Sequence, residues 1–174
     1  RVFADAVAKL PVGWKGVDLM KEGEWPPLLD AATASQVRAS VDTAPEALAV
    51  ARQLADYDRG RGFVVMGRVL WEGEDAQILQ ARSIRCLLDG DAALAVEAGD
   101  LDRVVEDALA LLGAARAFGD SPSDVSQALR RSLALRAVGW FGLTLSRGEP
   151  SSDLLARAQA AILCERRRPQ ARTA

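Results

Sequence analysis

Ala92-Ala93-Leu94-Ala95-Val96-Glu97-Ala98-Gly99-Asp100-Leu101-Asp102-Arg103-Val104-Val105-Glu106-Asp107-Ala108-Leu109-Ala110-Leu111-Leu112 is two apolar, helix-favouring runs broken by a single Gly-Asp step. In the second run Leu101, Val104, Val105, Ala108, Leu111 and Leu112 recur at the spacing that lines one side of a 3.6-residue helix, and Ala115 and Phe118 extend it. Glycine tolerates the left-handed backbone that closes a helix, and aspartate accepts hydrogen bonds from the free N–H groups that open the next, so Gly99 and Asp100 mark a stop and a start. A link this short leaves the two helices no choice but to fold back on each other as an antiparallel hairpin.

Upstream of this hairpin the same pattern runs back to about Glu74, with Ile78, Ala81, Ile84, Leu88, Ala92 and Ala95 directed inward. Asp89-Gly90-Asp91 interrupts it in sequence. One interior glycine costs only about 1 kcal/mol against alanine, so a single packed helix over 74–98 is expected. Downstream, Gly119 closes the second helix and Ser121-Pro122 opens a third, with serine as cap and proline in the first turn. That helix carries Val125, Ala128, Leu129, Leu133, Ala137, Trp140 and Leu143 inward to about Ser146. Gly139 and Gly142 allow either a close helix approach or a local kink. After Gly148-Glu149-Pro150, Ser151 or Ser152 caps a final helix bearing Leu154, Leu155, Ala158, Ala161 and Ile162, which frays from Glu165 through Pro169.

The N-terminal third is patterned less strongly. Val2, Phe3, Ala6, Val7 and Leu10 share a helix side that Pro11 and Gly13 terminate, and Trp25-Pro26-Pro27 sets up a helix from about Pro27 to Val41. Thr43 and Glu46 have the spacing of a capping box ahead of Ala47, Val50, Ala51 and Leu54, a run that ends near Asp58 before Gly60 and Gly62. Phe63 to Trp71 has strand-like composition, but no partner strand is evident, so it is expected to be an extended connector.

The expected fold is therefore all-α: antiparallel helical hairpins in a tetratricopeptide-like, right-handed α-α arrangement of six to seven helices, forming one domain over residues 1–174. Its parts are an N-terminal section 1–62, the connector 63–71, the best-defined helical section 74–165 and a tail 166–174. The consensus of a 34-residue repeat does not recur along the chain, so one hairpin is not an array. A chain of 174 residues is long enough to bury a core without disulfide or metal.

Composition narrows function. The net charge is −2, with acids and bases interleaved, which leaves no basic face to displace nucleic acid counterions; no DNA or RNA partner is expected. The longest uncharged run, Ala137 to Ser146, is half the roughly 20 residues of a membrane span. Histidine is absent, and Cys86 and Cys164 are far apart, so no zinc, haem or transition-metal ligand set can be assembled and no cofactor is expected. Both thiols are expected to be small buried apolar groups. Serines lack an imidazole base, and a Ser-Lys pair would have to recruit Lys9, Lys15 or Lys21. Neither a phosphate-binding loop nor a dinucleotide fingerprint occurs. Asp89-x-Asp91 begins like a calcium loop, but Leu94 replaces its glycine and Asp100 its final glutamate, so calcium is rejected. Glu72, Glu74 and Asp75 favour a helix N-terminus, and Arg166 to Arg168 a helix C-terminus.

From Gln80 to Glu165, the order Ala81-Arg82-Ser83, Glu97-Ala98-Gly99-Asp100, Gly119-Asp120-Ser121-Pro122, Ser126-Gln127, Arg130 and Gly148-Glu149-Pro150-Ser151 resembles a family of helical proteins of unknown function from planctomycete-type bacteria. The resemblance implies an all-helical fold and brings with it no activity to carry over. Members of that family often begin with a membrane-anchoring segment, which implies an envelope location, although no part of this chain matches it; otherwise a cytoplasmic location is expected. Arg85-Cys86 and Arg131-Ser132 depart from the family pattern. Because the first residue is Arg1, the chain is read as a fragment or a processed product.

Arg82, Ser126, Gln127 and Arg130 are the candidate ligand- or partner-binding residues, since they sit on helices expected to face each other and recur in that pattern. They serve either as internal partners of buried polar groups or as an anion site. Trp25, Trp71 and Trp140 are expected to be packers rather than a groove. The functional expectation is a non-enzymatic module that binds another protein, with a small anionic-ligand binder or enzyme, and a structural domain of a larger envelope protein, as the alternatives.

Overall fold

The computed structural model describes residues 2–19, 29–57, 70–118 and 124–166, with side chains of the long central helix from residue 78. These residues form seven α-helices and no strand: α1 (Val2–Ala8), α2 (Ala31–Asp42), α3 (Pro45–Arg52) with a 3-10 turn at Gln53–Asp56, α4 (Leu70–Ala98), α5 (Leu101–Ala117), α6 (Asp124–Arg147) and α7 (Ser152–Arg166). The fold is all-α, as expected.

Helix α5 is the axis of the molecule. It packs on α4, α6, α7, α3 and the 3-10 turn, and every residue from Asp107 to Arg116 is buried. The α4–α5 hairpin closes as its sequence dictates: Gly99 adopts φ +73°, and the Asp100 carboxylate accepts a hydrogen bond from the Arg103 N–H at 3.2 Å. Helix α4 runs unbroken through Asp89-Gly90-Asp91. A Cβ at Gly90 would sit 3.1 Å from Val37 and 3.3 Å from Val41, so this glycine brings α2 against α4. The expected core positions of α4 and α5 from Ala81 to Phe118 are buried, apart from Leu101, which is half-buried. Ala6 of α1 is fully buried, and Phe3 meets Phe118 edge-on with centroids 5.9 Å apart.

Several local expectations are corrected. Helix α2 begins at Ala31 rather than Pro27, because the Asp30 carboxylate takes the cap and accepts from Thr33 N–H at 2.7 Å; Trp25-Pro26-Pro27 lies outside the described residues. Thr43 and Glu46 do not form a capping box. Only two residues separate α2 from α3, so Thr43 still has helical angles as the end of α2, and its hydroxyl donates to Ser40 O at 2.7 Å. Ala44 precedes α3, Pro45 occupies its first turn, and Glu46 pairs with Lys9 at 3.0 Å. Leu70 and Trp71, placed in the connector, are already helical, whereas 63–69 lie outside the described residues, as do Ser121-Pro122 and the tail beyond Arg166. Val125 and Ala128 point outward. The buried face of α6 is Ser126, Leu133, Ala137, Trp140, Phe141 and Thr144, and one seven-residue step back from Leu133 falls on Ser126, not Val125. A Cβ on Gly142 would meet nothing within 4 Å, which removes the close-approach reading there. Cys86 is buried as expected, but Cys164 is exposed on the outer side of α7.

Candidate functional site

Two features stand out: a set of ion pairs between the helices, and an uncovered apolar stripe on α6. The ion pairs begin at the positions on α4 where a calcium loop is rejected. Asp91, with a side-chain exposure of 0%, receives Arg103 Nε at 2.8 Å, and its oxygens also pair closely with the terminal nitrogens of Arg103 and Arg52. Asp107 of α5, also at 0%, receives Arg52 Nε at 2.7 Å. Two carboxylates and two guanidiniums thus tie α3, α4 and α5 together in a formally neutral group.

The two acids are not equivalent. Burial alone raises the pKa of Asp91, but the Arg103 hydrogen bond, the contact with Asp107 and the nearby guanidiniums hold it below the ordinary carboxylate range. Burial pushes Asp107 well above that range despite the Arg52 hydrogen bond, and the adjacent Asp91 charge adds to the rise. Asp107 therefore holds a proton into conditions where Asp91 is ionised. No solvent reaches either carboxyl, so neither faces a substrate. A cleft of about 250 Å³, lined by Ala49, Arg52, Gln53, Asp56, Glu106 and Arg157 among others, includes Arg52 but neither carboxylate.

Two residues before Asp91, a little over half a turn around the helix, Asp89 points to the other side of α4, where it accepts from Arg136 at 2.8 Å and from the Trp140 indole N–H at 2.9 Å. Burial raises its pKa, opposed by the Arg136 charge and the indole hydrogen bond, and burial likewise lowers that of Arg136. Trp140 is thus a core packer whose polar edge is used. At the far end Arg116, buried in α5, donates from Nε to Glu165 at 2.8 Å and from its terminal nitrogen to Ala161 O at 2.9 Å. Asp107 and Arg116 were not singled out from sequence, and Asp89 and Asp91 were weighed only as the start of a calcium loop. The available signal was their position: Asp89, Asp91 and Arg116 sit between small or apolar neighbours, and Asp107 sits three residues after Val104 and four before Leu111 on the buried side of α5.

Of the four candidates, Arg82 is exposed on α4 and reaches Asp18 at 3.3 Å, beside Arg85, which holds the same carboxylate at 2.6 Å. Ser126 is buried, Gln127 half-buried, and Arg130 lies 3.8 Å from Glu165, sharing that acid with Arg116. The structure therefore sets Arg82 against the segment after α1 and Arg130 against α7.

The second feature lies on the opposite side of α6 from Trp140. Leu135 is 65% exposed, Val138 51% and Leu145 60%, with Ala128 and Gly142 open between and beside them. From Leu135 to Leu145 these positions are separated by three or four residues and form one stripe along the helix, while Ala128 lies two turns before Leu135 with exposed Arg131 between them. Helix α6 packs on α5 and α4, and its buried residues lie on the other side. Among the described residues, no group of three or more His, Cys, Asp or Glu is arranged to hold a metal ion, and no helix is long and apolar enough to cross a membrane.

Comparison with protein-family models, with curated proteins and with solved structures finds no match in any of the three. The reading of function rests on the residues themselves.

Proposed function

We propose that the chain is a non-enzymatic helical module that binds another protein through the outer face of α6. The observation that carries this reading is the row Ala128, Leu135, Val138 and Leu145, exposed on a helix whose other side is already packed. Covering a Leu or Val side chain contributes about 1.5–3 kcal/mol relative to leaving it in water, so a three-residue row supplies a real driving force for association. The tetratricopeptide-like α4–α5 hairpin fits a scaffold that displays such a face. The anion-binding reading of Arg82, Ser126, Gln127 and Arg130 has less support, because both guanidiniums already face carboxylates within the fold, Asp18 and Glu165.

The test is chemical cross-linking of the full chain in cells that express it, comparing wild type with Leu135→Lys/Leu145→Lys. A specific adduct that disappears in the variant, with helical circular dichroism unchanged, supports the proposal. Equal adducts in both, or none in either, refutes it.

A further inference from the structure

Residues 11–19 leave α1 and cross α2 and α4 without forming a helix. The Trp14 indole N–H donates to Ser40 O at 3.0 Å, and a Cβ on Gly16 would lie 2.5 Å from Cys86 Cβ, so this strap is laid directly on both helices. It ends by placing Asp18 over two arginines of α4. Arg82 and Arg85 both donate to the same oxygen of that carboxylate, at 3.3 and 2.6 Å. Each uses a terminal nitrogen, and the one on Arg85 also reaches the Cys86 sulfur at 3.7 Å. The Nε of Arg85 is buried and has no hydrogen-bond partner among the described residues. An anion satisfies a guanidinium best through two parallel N–H···O bonds, and Asp18 leaves Arg85 short of that arrangement.

The geometry points to an anion site at Arg82 and Arg85 that Asp18 fills in place of a ligand, the ligand being a phosphate dianion, free or as a small monoester. Charge chooses phosphate over a carboxylate. Arg136 of α6 lies close enough for Arg85 and Asp18 to act on it, and its own partner is Asp89. Three guanidiniums therefore face two carboxylates, and with Asp18 turned away three face one. A phosphate monoester carries about −1.5 to −2 at neutral pH and offers three acceptor oxygens, enough to give each α4 arginine its own and to serve the unpaired Nε. Access requires no opening of the core, because Asp18 is exposed and Arg82 is 64% exposed. Arg130 differs, since its acid Glu165 sits on α7 and also holds buried Arg116. The phosphate site uses neither Ser126, Gln127 nor Arg130, and it stands or falls independently of the outer face of α6.

Phosphorus NMR titrations of inorganic phosphate and of methyl phosphate with the full chain, at an ionic strength held constant with chloride, test this. Saturable binding in the millimolar range or tighter is expected. Asp18→Asn removes the competing charge and should tighten binding by about two- to fivefold. Arg82→Gln removes a charged donor and should weaken it by about tenfold. Both side chains are exposed, so helical circular dichroism should be unchanged in either variant. The gain in Asp18→Asn is the result that a purely structural ion pair does not give. Methyl phosphate held more tightly than inorganic phosphate assigns the site to a monoester, and equal or weaker binding assigns it to the free ion. Binding no stronger than that of chloride, an Asp18→Asn variant no tighter than the parent, or an Arg82→Gln variant that binds as well as the parent overturns the proposal.

Discussion

Replacing Gly113 with alanine adds one methyl group to a good helix position and should nevertheless destabilise the protein. An alanine in place of glycine favours an exposed helix by about 1 kcal/mol. At Gly113, however, the new Cβ would lie 1.9 Å from the carbonyl oxygen and 2.5 Å from the carbonyl carbon of Leu54, where ordinary contact begins near 3.4 Å. Those atoms belong to the 3-10 turn, which has no flexible side chain to swing aside, so α5 and the turn must separate by about 1.5 Å. Such a shift lifts Leu54 away from the core and loosens Arg52, the residue that begins the turn and holds Asp91 and Asp107. Overpacking of this kind costs typically 1–3 kcal/mol, with more expected where backbone has to move, so a net loss of about 2 kcal/mol is expected after the propensity gain. For a chain of this size that is a fall of about 4–8 °C in Tm. Urea unfolding followed by circular dichroism, with buried Trp140 as a fluorescence probe, measures it. Gly142→Ala in dilute protein is the matched control: nothing lies within 4 Å of its Cβ, and it should gain about 0.5–1 kcal/mol. A Gly113→Ala protein as stable as the parent would refute the argument.

Asp107 sets a pH dependence. Its folded pKa lies above its unfolded one, so the native chain holds that proton more tightly, and stability falls as pH rises from about 4 through the raised value. Asp107→Asn, which cannot ionise, should flatten that fall above the ordinary carboxylate range, and a variant with the same slope as the parent would contradict the assignment. Asp91 acts in the opposite sense: its lowered pKa contributes stability above about pH 4 that is lost on acidification, and Asp91→Asn should remove this acid-side loss from the urea midpoints. Trp140→Phe keeps an aromatic ring but removes the donor to Asp89 and leaves space where the larger indole was; a loss of about 2 kcal/mol or more in urea unfolding is expected, and no loss would show the indole bond to be dispensable. In thiol titration of the native chain Cys164 should react quickly, while Cys86, buried and with a raised pKa from burial, should wait for unfolding; two fast thiols would refute that placement.

The sequence made the central hairpin legible because its signals agree: apolar spacing, Gly99 as a stop and Asp100 as a cap all describe the same turn. The continuity of α4 through Asp89-Gly90-Asp91 was equally readable, since one glycine is a small penalty in a helix buried along much of its length. What escaped was the work of those aspartates. Charge in an apolar stretch signals burial only once the partner is known, and Arg52, Arg103 and Arg136 lie 39, 12 and 47 residues away from the acids they meet. The α6 stripe was misassigned in part for a related reason. The helix has apolar residues on two sides, and periodicity alone chose Val125 and Ala128 for the core, whereas packing on α5 chose the side with Ser126 and Trp140. Thr43 shows the limit of local motifs: the residue pair was right for a cap, but the helix before it had not yet ended.

An interior made mostly of alanine and leucine offers a helix several nearly equal seats along its neighbour. Sliding α4 by one turn, about 5.4 Å, would still set apolar against apolar, although Cys86 or Leu94 would take the place of Gly90 beneath Val37 and Val41. The same slide would carry Asp89 off Arg136 and Asp91 off Arg103, and stranding either charge without water costs about 3–5 kcal/mol. The salt links between the helices thus act as keys in an otherwise smooth lock. They add little to how firmly the bundle holds, and much to its having a single threading.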